Sequence, residues 1–162
     1  MFGFLTFGTT LAVADLAVKN EIERRDNSVF PREMKGTKGF IRLYKSHNPG
    51  FSFGFLKNSQ AVKLIPLCIT SGIAGAWTYM MGVRGRFAEK LAFTLVLAGG
   101  LSNLLDRMTR GYVVDYFAVQ WKILKKVVFN LADIFIFLGS AILIVVQLTD
   151  GVKHAVKNRK NS

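Results

Sequence analysis

Four long apolar runs constrain the fold of this 162-residue chain more than any other feature. They cover residues 1–18, 62–82, 87–105 and 127–148. Each is close to the roughly 20 residues that an α-helix needs to cross the hydrocarbon core of a bilayer. The chain is 51% hydrophobic with a mean hydropathy of +0.30, although it carries 22 Lys and Arg residues. The sequence therefore predicts an all-α integral membrane protein, a single domain over residues 1–162 with four transmembrane helices.

The first apolar run has the position of a secretory signal but not its other features. It has no Lys or Arg in its first ten residues, and it ends in ADLAVK instead of a small-residue cleavage site. We therefore expect this run to be kept as the first transmembrane helix.

Two long loops, residues 19–61 and 106–126, should lie on one side of the membrane, opposite both termini. The first contains GFIRLYKSHNPGFSFGFL, where apolar and basic residues alternate before an Asn-Pro-Gly turn, a pattern typical of short strands. In the other, FAVQWKILKK places Phe117, Trp121 and Leu124 on one helical face, which predicts a short interfacial helix. A solvated connector is the alternative for that segment. The fold prediction thus adds a small β-rich loop region and a short interfacial helix to the four spans.

The net charge of +12 indicates an anionic neighbour. Because the basic residues lie between and beyond the apolar runs, we expect lipid headgroups as the partner and do not expect a nucleic acid. The two long loops hold 9 and 5 Lys and Arg residues, against 3 around the second loop and 4 in the C-terminal tail. By the positive-inside rule, this count alone would place the long loops in the cytoplasm.

The cysteine and histidine content indicates neither a disulfide framework nor a metal site. Cys68 is the only cysteine and lies in the apolar stretch LIPLCITSG, where we expect it to be a packing residue. His47 and His154 are far apart and have no ligand-like companions. We therefore expect no metal and no cofactor.

Two carboxylates lie in apolar surroundings near the fourth helix. Asp133 lies inside the last apolar run, in FNLADIFIFLG, with Asn130 on the same helical face. At the centre of a membrane helix an ionised Asp costs roughly 2.5–3.5 kcal/mol, so such residues usually have a function. Asp115 is flanked by apolar residues in YVVDYF, in the loop that leads into this helix, so the two carboxylates can meet. They cannot both ionise cheaply, and one would keep a proton.

Such a pair has the arrangement of an aspartic hydrolase. The charged carboxylate would activate a water molecule while the protonated one bound the substrate carbonyl, without a metal. Buried carboxylates also serve as proton paths and structural clasps. A non-catalytic membrane binding or transport protein is therefore the alternative, and it predicts Asp-dependent stability or flux without peptide cleavage.

A polar trio ends the third apolar run. Asn103, Asp106 and Arg107 are spaced i, i+3 and i+4, which places them on one face of a helix. For Asp106 we favour a structural clasp that closes the helix end.

The motifs NLLDR, GYVVDYF and FNLAD, in this order and spacing, resemble the bacterial lipoprotein signal peptidase family, also called signal peptidase II. The resemblance implies a four-helix inner-membrane aspartyl endopeptidase, which cleaves the signal peptide of a prolipoprotein just before its diacylglyceryl-modified cysteine. It implies that Asp115 and Asp133 are the catalytic pair. It also implies four residues that support the site: Asn103, Asp106, Arg107 and Asn130.

The N-terminal half matches this family more loosely. DLAVK looks like the family's Asp-Gln-x-x-Lys element, which adds Asp15 and Lys19 to the supporting residues, and NPGFSFGFL looks like its Asn-x-Gly-x-Ala-Phe loop, with Asn48 lining the site. A divergent paralogue with its own substrates, or a pseudoenzyme that binds without turnover, are alternatives. The paralogue arises because four positions depart from the family pattern but leave the pair of aspartates intact: Leu16, Ser52, Ser102 and Ile134. Two of them bear on substrate range, since Ile134 is expected to sit against Asp133 and Ser52 lies on the loop expected to cover the site.

The resemblance also implies partners and a location. The partners would be lipid-modified prolipoproteins and membrane lipids, and cyclic peptides such as globomycin would be inhibitors. The protein would lie in the bacterial inner membrane with both termini in the cytoplasm and the active site near the extracytoplasmic face. This orientation opposes the charge count. We prefer it because basic loops that face anionic lipid of the outer leaflet produce the same count.

Overall fold

The computed structural model describes residues 1–50 and 60–160. Within this part of the chain, four long helices combine with a small antiparallel sheet. The helices are α1 (Phe2–Arg24), α2 (Ala61–Gly82), α3 (Phe87–Thr109) and α4 (Leu131–Lys160). The strands are β1 (Arg32–Glu33), β2 (Ile41–Asn48) and β3 (Val113–Val119), and the short 3₁₀ helices are Asn27–Val29 and Lys122–Lys126. Each long helix contains a segment long and apolar enough to span a membrane, which confirms the predicted fold class.

Helix α3 is the centre of the bundle. It packs against α1, α2 and α4, and 56% of its most apolar segment is buried, compared with 6% for α2. An apolar helix with so little surface covered by protein is stable only in a lipid environment. The bundle therefore exposes most of α2 and buries the polar end of α3, which contains the motif NLLDR.

Two glycines allow α3 and α4 to approach closely. A Cβ atom at Gly99 would lie 2.3 Å from the backbone oxygen of Ala132, and one at Gly139 would lie 2.6 Å from that of Ala92. Small residues at such contacts let helix backbones approach in membranes. The SGIAGA stretch of α2 differs, since a Cβ at Gly72 or Gly75 would meet nothing within 4 Å.

The sheet lies across the end of the bundle in the order β1-β2-β3. Strand β2 pairs antiparallel with β3, and the pairing places Ser46 opposite Asp115 and Asn48 opposite Val113. Because Tyr116 of β3 packs in a small core with Ile22 of α1, the sheet is anchored to the first helix. The part of the first loop that follows Gly50, up to residue 59 and including Ser52, lies outside the described residues.

The prediction of one amphipathic helix over FAVQWKILKK is wrong for its first half. Phe117 lies in β3, opposite Leu43 of β2, and the chain then forms a 3₁₀ helix only over Lys122–Lys126. The run YVVDYFAV is rich in β-branched and aromatic residues, and pairing with β2 satisfies its backbone. Phe117, Trp121 and Leu124 therefore do not share one helical face.

Helix α4 begins later than the apolar run does. Residues 127–129 are extended, and the backbone N–H of Phe129 donates to the oxygen of Phe117 at 2.7 Å, so the helix starts only at Leu131. Asp133 thus lies in the first turn of α4, at the start of its apolar segment. The first and third helices are longer than predicted, and α3 includes Asp106 and Arg107.

Cys68 is not the packing residue that we expected. Its side chain is exposed on α2. The reason is that α2 has its protein contacts mainly with α3, which leaves the rest of its surface for lipid.

The close contact between α3 and α4 gives a test of the bundle. Gly99→Ala should force the helices apart and destabilise the protein by about 1–3 kcal/mol, the usual effect of overpacking. Gly75→Ala is the matched control, because its new methyl group meets nothing within 4 Å. The thermal unfolding midpoint in detergent should fall for the first variant only, and equal midpoints would contradict the packing described.

Candidate active site

Asp133 and Asn130 together begin helix α4. The backbone N–H of Asn130 donates to Oδ2 of Asp133 at 3.1 Å, and the backbone N–H of Asp133 donates to Oδ1 of Asn130 at 2.9 Å. This reciprocal pair is a capping box with Asn at the N-cap and Asp three residues later. A carboxylate is favourable at a helix N-terminus because it faces unpaired N–H groups and the positive end of the helix dipole. Its place in the apolar run is thus explained locally.

Asn130 also connects the two carboxylates. Its side-chain nitrogen donates to Oδ1 of Asp115 at 2.7 Å, while its oxygen accepts from the backbone of Asp133. Asn130 is fully buried and Asp115 is 7% exposed. One amide therefore connects the start of α4 to the middle of β3.

Two further asparagines donate hydrogen bonds to the carboxylates of this pair. Asn103 of α3 donates from Nδ2 to Oδ1 of Asp133 at 3.0 Å. Asn48, at the end of β2, donates from Nδ2 to Oδ2 of Asp115 at the longer distance of 3.4 Å. The two carboxylates are thus positioned by residues from α3, α4 and both long strands.

Asp115 and Asp133 line a common cleft of about 800 Å³. Its wall is formed by the sheet, and its floor follows α4 from Asp133 to Ser140, about 10 Å at the usual helical rise. Beyond Asp133, α4 contributes the apolar Ile136 and Phe137 to this floor, and the polar Ser140 lies at its far end. The arrangement brings two carboxylates to the polar end of a groove with an apolar floor.

Three predicted site residues lie behind the cleft. Lys19 is fully buried, and its Nζ lies 2.8 Å from Oδ2 of Asp15 and 3.1 Å from Oδ2 of Asp106. The same Nζ donates to Oδ1 of Asn103 at 2.8 Å. Asp106 also accepts the backbone N–H of Val114 at 3.1 Å, which joins α3 to β3. These contacts have the geometry expected of a structural clasp at Asp106, and that role stays a prediction.

Arg107 lies in the cleft wall, near both carboxylates. It donates from its guanidinium to the backbone oxygens of Gly50 and Asn103, each at 3.3 Å. The predicted site residues thus form two sets. Those that line the cleft are Asn48, Asn103, Arg107, Asp115 and Asp133, and those that support it from behind are Asp15, Lys19, Asp106 and Asn130.

The surroundings of Asp115 favour its protonated form. Burial first of all, and then the negative charge of Asp133, raise the pKa of Asp115 to about 7 against the opposing effect of hydrogen bonds from Asn130 and Asn48. This is the direction expected for two carboxylates in a poorly solvated site. At near-neutral pH the site can therefore hold one acid and one base.

The family model described as Signal peptidase (SPase) II matches residues 8–149. The chain belongs to this family. The resemblance seen in the sequence motifs is therefore confirmed, and with its four apolar helices this member of the signal peptidase II family is a multi-pass inner-membrane peptidase.

Curated relatives of this signal peptidase II member are named lipoprotein signal peptidase. That of Allorhizobium ampelinum is 28% identical over 89% of this chain and 86% of its own length. That of Sinorhizobium fredii is 30% identical over 84% of this chain and 80% of its own length, and that of Syntrophotalea carbinolica is 34% identical over 71% of this chain and 73% of its own.

Two solved structures of a bacterial membrane enzyme, obtained by the in meso method at 2.3 and 1.9 Å resolution, share the fold. Their TM-scores are 0.77 and 0.76 at 22% identity, over 93% of this chain and 90% and 95% of theirs.

Two residues of this site were missed as functional candidates in the sequence. The Tyr116 hydroxyl donates to Oδ1 of Asp15 at 2.9 Å and accepts the backbone N–H of Leu131 at 3.0 Å, and the Ser102 hydroxyl donates to Oδ2 of Asp15 at 2.6 Å. Burial raises the pKa of Tyr116 above its ordinary value, so the hydroxyl stays a donor. Two features of the sequence could have identified them. Tyr116 follows Asp115 on a strand, so its side chain points to the opposite face of the sheet, and Ser102 departs from the family pattern.

Ile134 does not have the place expected for it. It was expected to sit against Asp133 and to influence substrate range, but it is 36% exposed and is absent from the described lining of the cleft. In the first turn of α4, adjacent residues point about 100° apart, so Asp133 faces the cleft while Ile134 faces outward.

The raised pKa of Asp115 predicts a pH-dependent stability. Because its pKa is about 7 in the folded chain and near its ordinary value of 3.8 when unfolded, the folded state binds more protons between these values. The free energy of unfolding should then fall as the pH rises from about 4 to about 7, by at most about 1.4 kcal/mol per unit. Asp115→Asn should reduce this slope in unfolding midpoints measured across that range, and the exposed Glu33→Gln should not. An unchanged slope in Asp115→Asn would contradict the assignment.

The buried hydroxyl of Tyr116 gives a second test. Tyr116→Phe should destabilise the protein by roughly 1–3 kcal/mol, because Asp15 and the start of α4 both lose a buried partner. Tyr79→Phe, at a position that is 75% exposed, should change the unfolding midpoint little. Similar effects of both substitutions would mean that the Tyr116 hydroxyl has no special role.

Proposed function

We propose that this chain is an aspartic endopeptidase that cleaves the signal peptide of prolipoproteins just before their diacylglyceryl-modified cysteine. The observation that carries the proposal is the pair Asp115 and Asp133, which line one cleft and share the buried amide of Asn130. The names of its relatives support the substrate class. The apolar floor of the cleft fits a substrate that carries acyl chains.

The proposed reaction uses the pair as one acid and one base. The ionised carboxylate takes a proton from a water molecule as the water oxygen bonds to the carbonyl carbon of the scissile peptide. The protonated carboxyl gives its proton to the carbonyl oxygen, and a neutral tetrahedral gem-diol forms. The first carboxyl now holds a proton and the second is ionised.

Collapse of the intermediate restores the pair. The newly protonated carboxyl gives its proton to the departing amide nitrogen as the C–N bond breaks. The other takes a proton from a gem-diol hydroxyl, so that one new carboxyl terminus and one new amine are released. One water molecule is consumed, and the site returns to one acid and one base.

We assign the remaining site residues to binding and support. Asn48, Asn103 and Arg107 would bind the substrate backbone or orient the pair, since they line the cleft. The other supporting residues would hold in place the elements that carry the pair. These residues are Asp15, Lys19, Asp106 and Asn130.

We also propose that the chain works as one domain, with its termini in the cytoplasm and the sheet at the extracytoplasmic face. The sheet and the cleft lie at the same end of the bundle, formed by the two long loops. A lipid-anchored substrate could then reach the cleft by lateral diffusion while its acyl chains stay in hydrocarbon and membrane lipids surround the bundle. Cyclic-peptide inhibitors such as globomycin would compete for the same cleft.

The capping role of Asp133 supports a different reading, in which the carboxylates are structural and the protein does not cleave peptides. An isosteric substitution separates the two readings, because the side-chain oxygen of Asn can still accept the backbone N–H of Asn130, as Asp133 does at 3.1 Å. Asp133→Asn should therefore keep the helix start while removing the ionisable group.

The proposal predicts loss of cleavage in both isosteric variants. Purified protein in detergent would be given a diacylglyceryl-modified prolipoprotein, and cleavage before the lipidated cysteine would be followed by mass spectrometry. Asp115→Asn and Asp133→Asn should each lower the rate at least about 100-fold, the lower range for general acid–base catalysis. Their unfolding midpoints should show that they remain folded.

Asp150→Asn is the matched control, because this aspartate lies near the far end of α4, in an ion pair with Arg86 at 3.2 Å. It should retain full activity. Full activity of both site variants would refute the catalytic pair, and a folded wild-type protein that cleaves nothing would favour the structural reading.

A further inference from the structure

We infer that Lys19 is a positioning residue, which acts through Asn103 to hold Asp133 as the charged carboxylate of the pair and leaves the proton on Asp115. The inference rests on the proposed function for its catalytic meaning. Its structural basis is a chain of hydrogen bonds whose directions are set by the chemistry of its two ends.

The first step is the orientation of the Asn103 amide. An ammonium group has donors only, so the atom of Asn103 that lies 2.8 Å from Nζ of Lys19 must be the amide oxygen. The amide nitrogen then faces Asp133, where it donates to Oδ1 at 3.0 Å. A flipped amide would place two donors against each other at Lys19.

The second step concerns the state of Asp133. Its Oδ1 accepts from Asn103, and its Oδ2 accepts the backbone N–H of Asn130 at 3.1 Å. A backbone N–H cannot become an acceptor. Hydrogen bonds donated to both oxygens stabilise the charged form of a carboxylate, so Asp133 is the better anion of the pair.

The third step compares Asp115. Asn130 must present its nitrogen to Asp115, because its oxygen already accepts from the backbone of Asp133, and this bond occupies Oδ1 of Asp115 at 2.7 Å. Among the described residues, the other oxygen, Oδ2, receives the 3.4 Å contact from Asn48 and no further hydrogen bond. It is the least strongly bonded of the four carboxylate oxygens, and the raised pKa of Asp115 agrees with a proton there.

The other charged groups around the pair do not reverse this order. Arg107 of α3 lies near both carboxylates and acts more on Asp115 than on Asp133, yet the pKa of Asp115 remains raised. The Lys19 charge is shared with Asp15 and Asp106, and Arg110 in turn pairs with Asp106 at 3.2 Å. The other titratable groups in the described lining of the cleft are His47, which contacts Glu23 at 2.6 Å, and Lys126.

The assignment gives each carboxylate one role in the first chemical step. Asp133 takes the proton from water, and Oδ2 of Asp115 gives its proton to the carbonyl oxygen. In this scheme Lys19 acts through Asn103, which bonds to Oδ1 of Asp133 and transfers no proton itself, and the two residues keep Asp133 charged.

Infrared spectroscopy of the full-length protein in detergent at about pH 6 tests the assignment without substrate. The wild type should show the absorption of a protonated carboxyl group. We expect this band to disappear in Asp115→Asn and to remain in Asp133→Asn, because burial is the first cause of the raised Asp115 pKa. Asp150→Asn should leave it unchanged.

A double variant tests the role of Asn103 and, through it, of Lys19. In the Asp115→Asn background, Asn103→Leu removes the donor to Oδ1 of Asp133 while keeping a similar volume, so a protonated-carboxyl band should return at a pH where the single variant has none. A purely structural role of Asn103 would not restore it. Lys19→Met in the same background should also restore a band. Because Asp15 and Asp106 lose their cation as well, the part that belongs to Asp133 is the part lost when Asp133→Asn is added.

Three results would overturn the inference: no band in the wild type, a band that survives in Asp115→Asn but is lost in Asp133→Asn, or one lost in both variants. An unchanged spectrum on adding Asn103→Leu to a folded Asp115→Asn protein would overturn the relay from Lys19. Because the spectra need no turnover, a failure of the assignment is distinguishable from a failure of the proposed function, which the cleavage assay reports.

Discussion

The buried ammonium group of Lys19 is the interaction on which the rest of the site depends. It joins α1 to the polar end of α3 through Asp15, Asp106 and Asn103, and Asp106 extends the connection to β3. A buried charge is expensive unless it is paired and hydrogen-bonded, and removing one partner leaves the others unpaired. The cluster therefore locks two helices and a strand in the one arrangement that satisfies all of its members.

A second constraint is the late start of α4. The chain stays extended through Phe129, which bonds to β3, and only then turns into the helix at the Asn130 cap. This places Asp133 in the first turn of α4, where it lines the same cleft as the sheet. The same local capping that stabilises the helix also brings its carboxylate beside Asp115, so stability and the proposed chemistry use the same atoms.

The apolar and polar parts of the molecule meet at the cleft. Its floor follows α4 into the bundle, and its wall is the small sheet that carries Asn48 and Asp115. The count of basic residues in the long loops includes Lys19, which is fully buried and neutralised within the protein. A residue of this kind contributes nothing to the attraction of a loop for the cytoplasmic face.

The sequence by itself determined the membrane class, the number of helices and the motifs of the family, because apolar length and residue spacing are local properties. It also singled out Asp115 and Asp133 as a pair. Only the tertiary structure decided that Phe117 lies in a strand, that α4 begins at Leu131, and that Cys68 and Ile134 face outward. It alone revealed the bonds of Tyr116 and Ser102 to Asp15, which join residues 101 and 87 positions apart. Partners so distant in the chain leave no periodic signal, since which groups meet depends on how the helices and sheet pack.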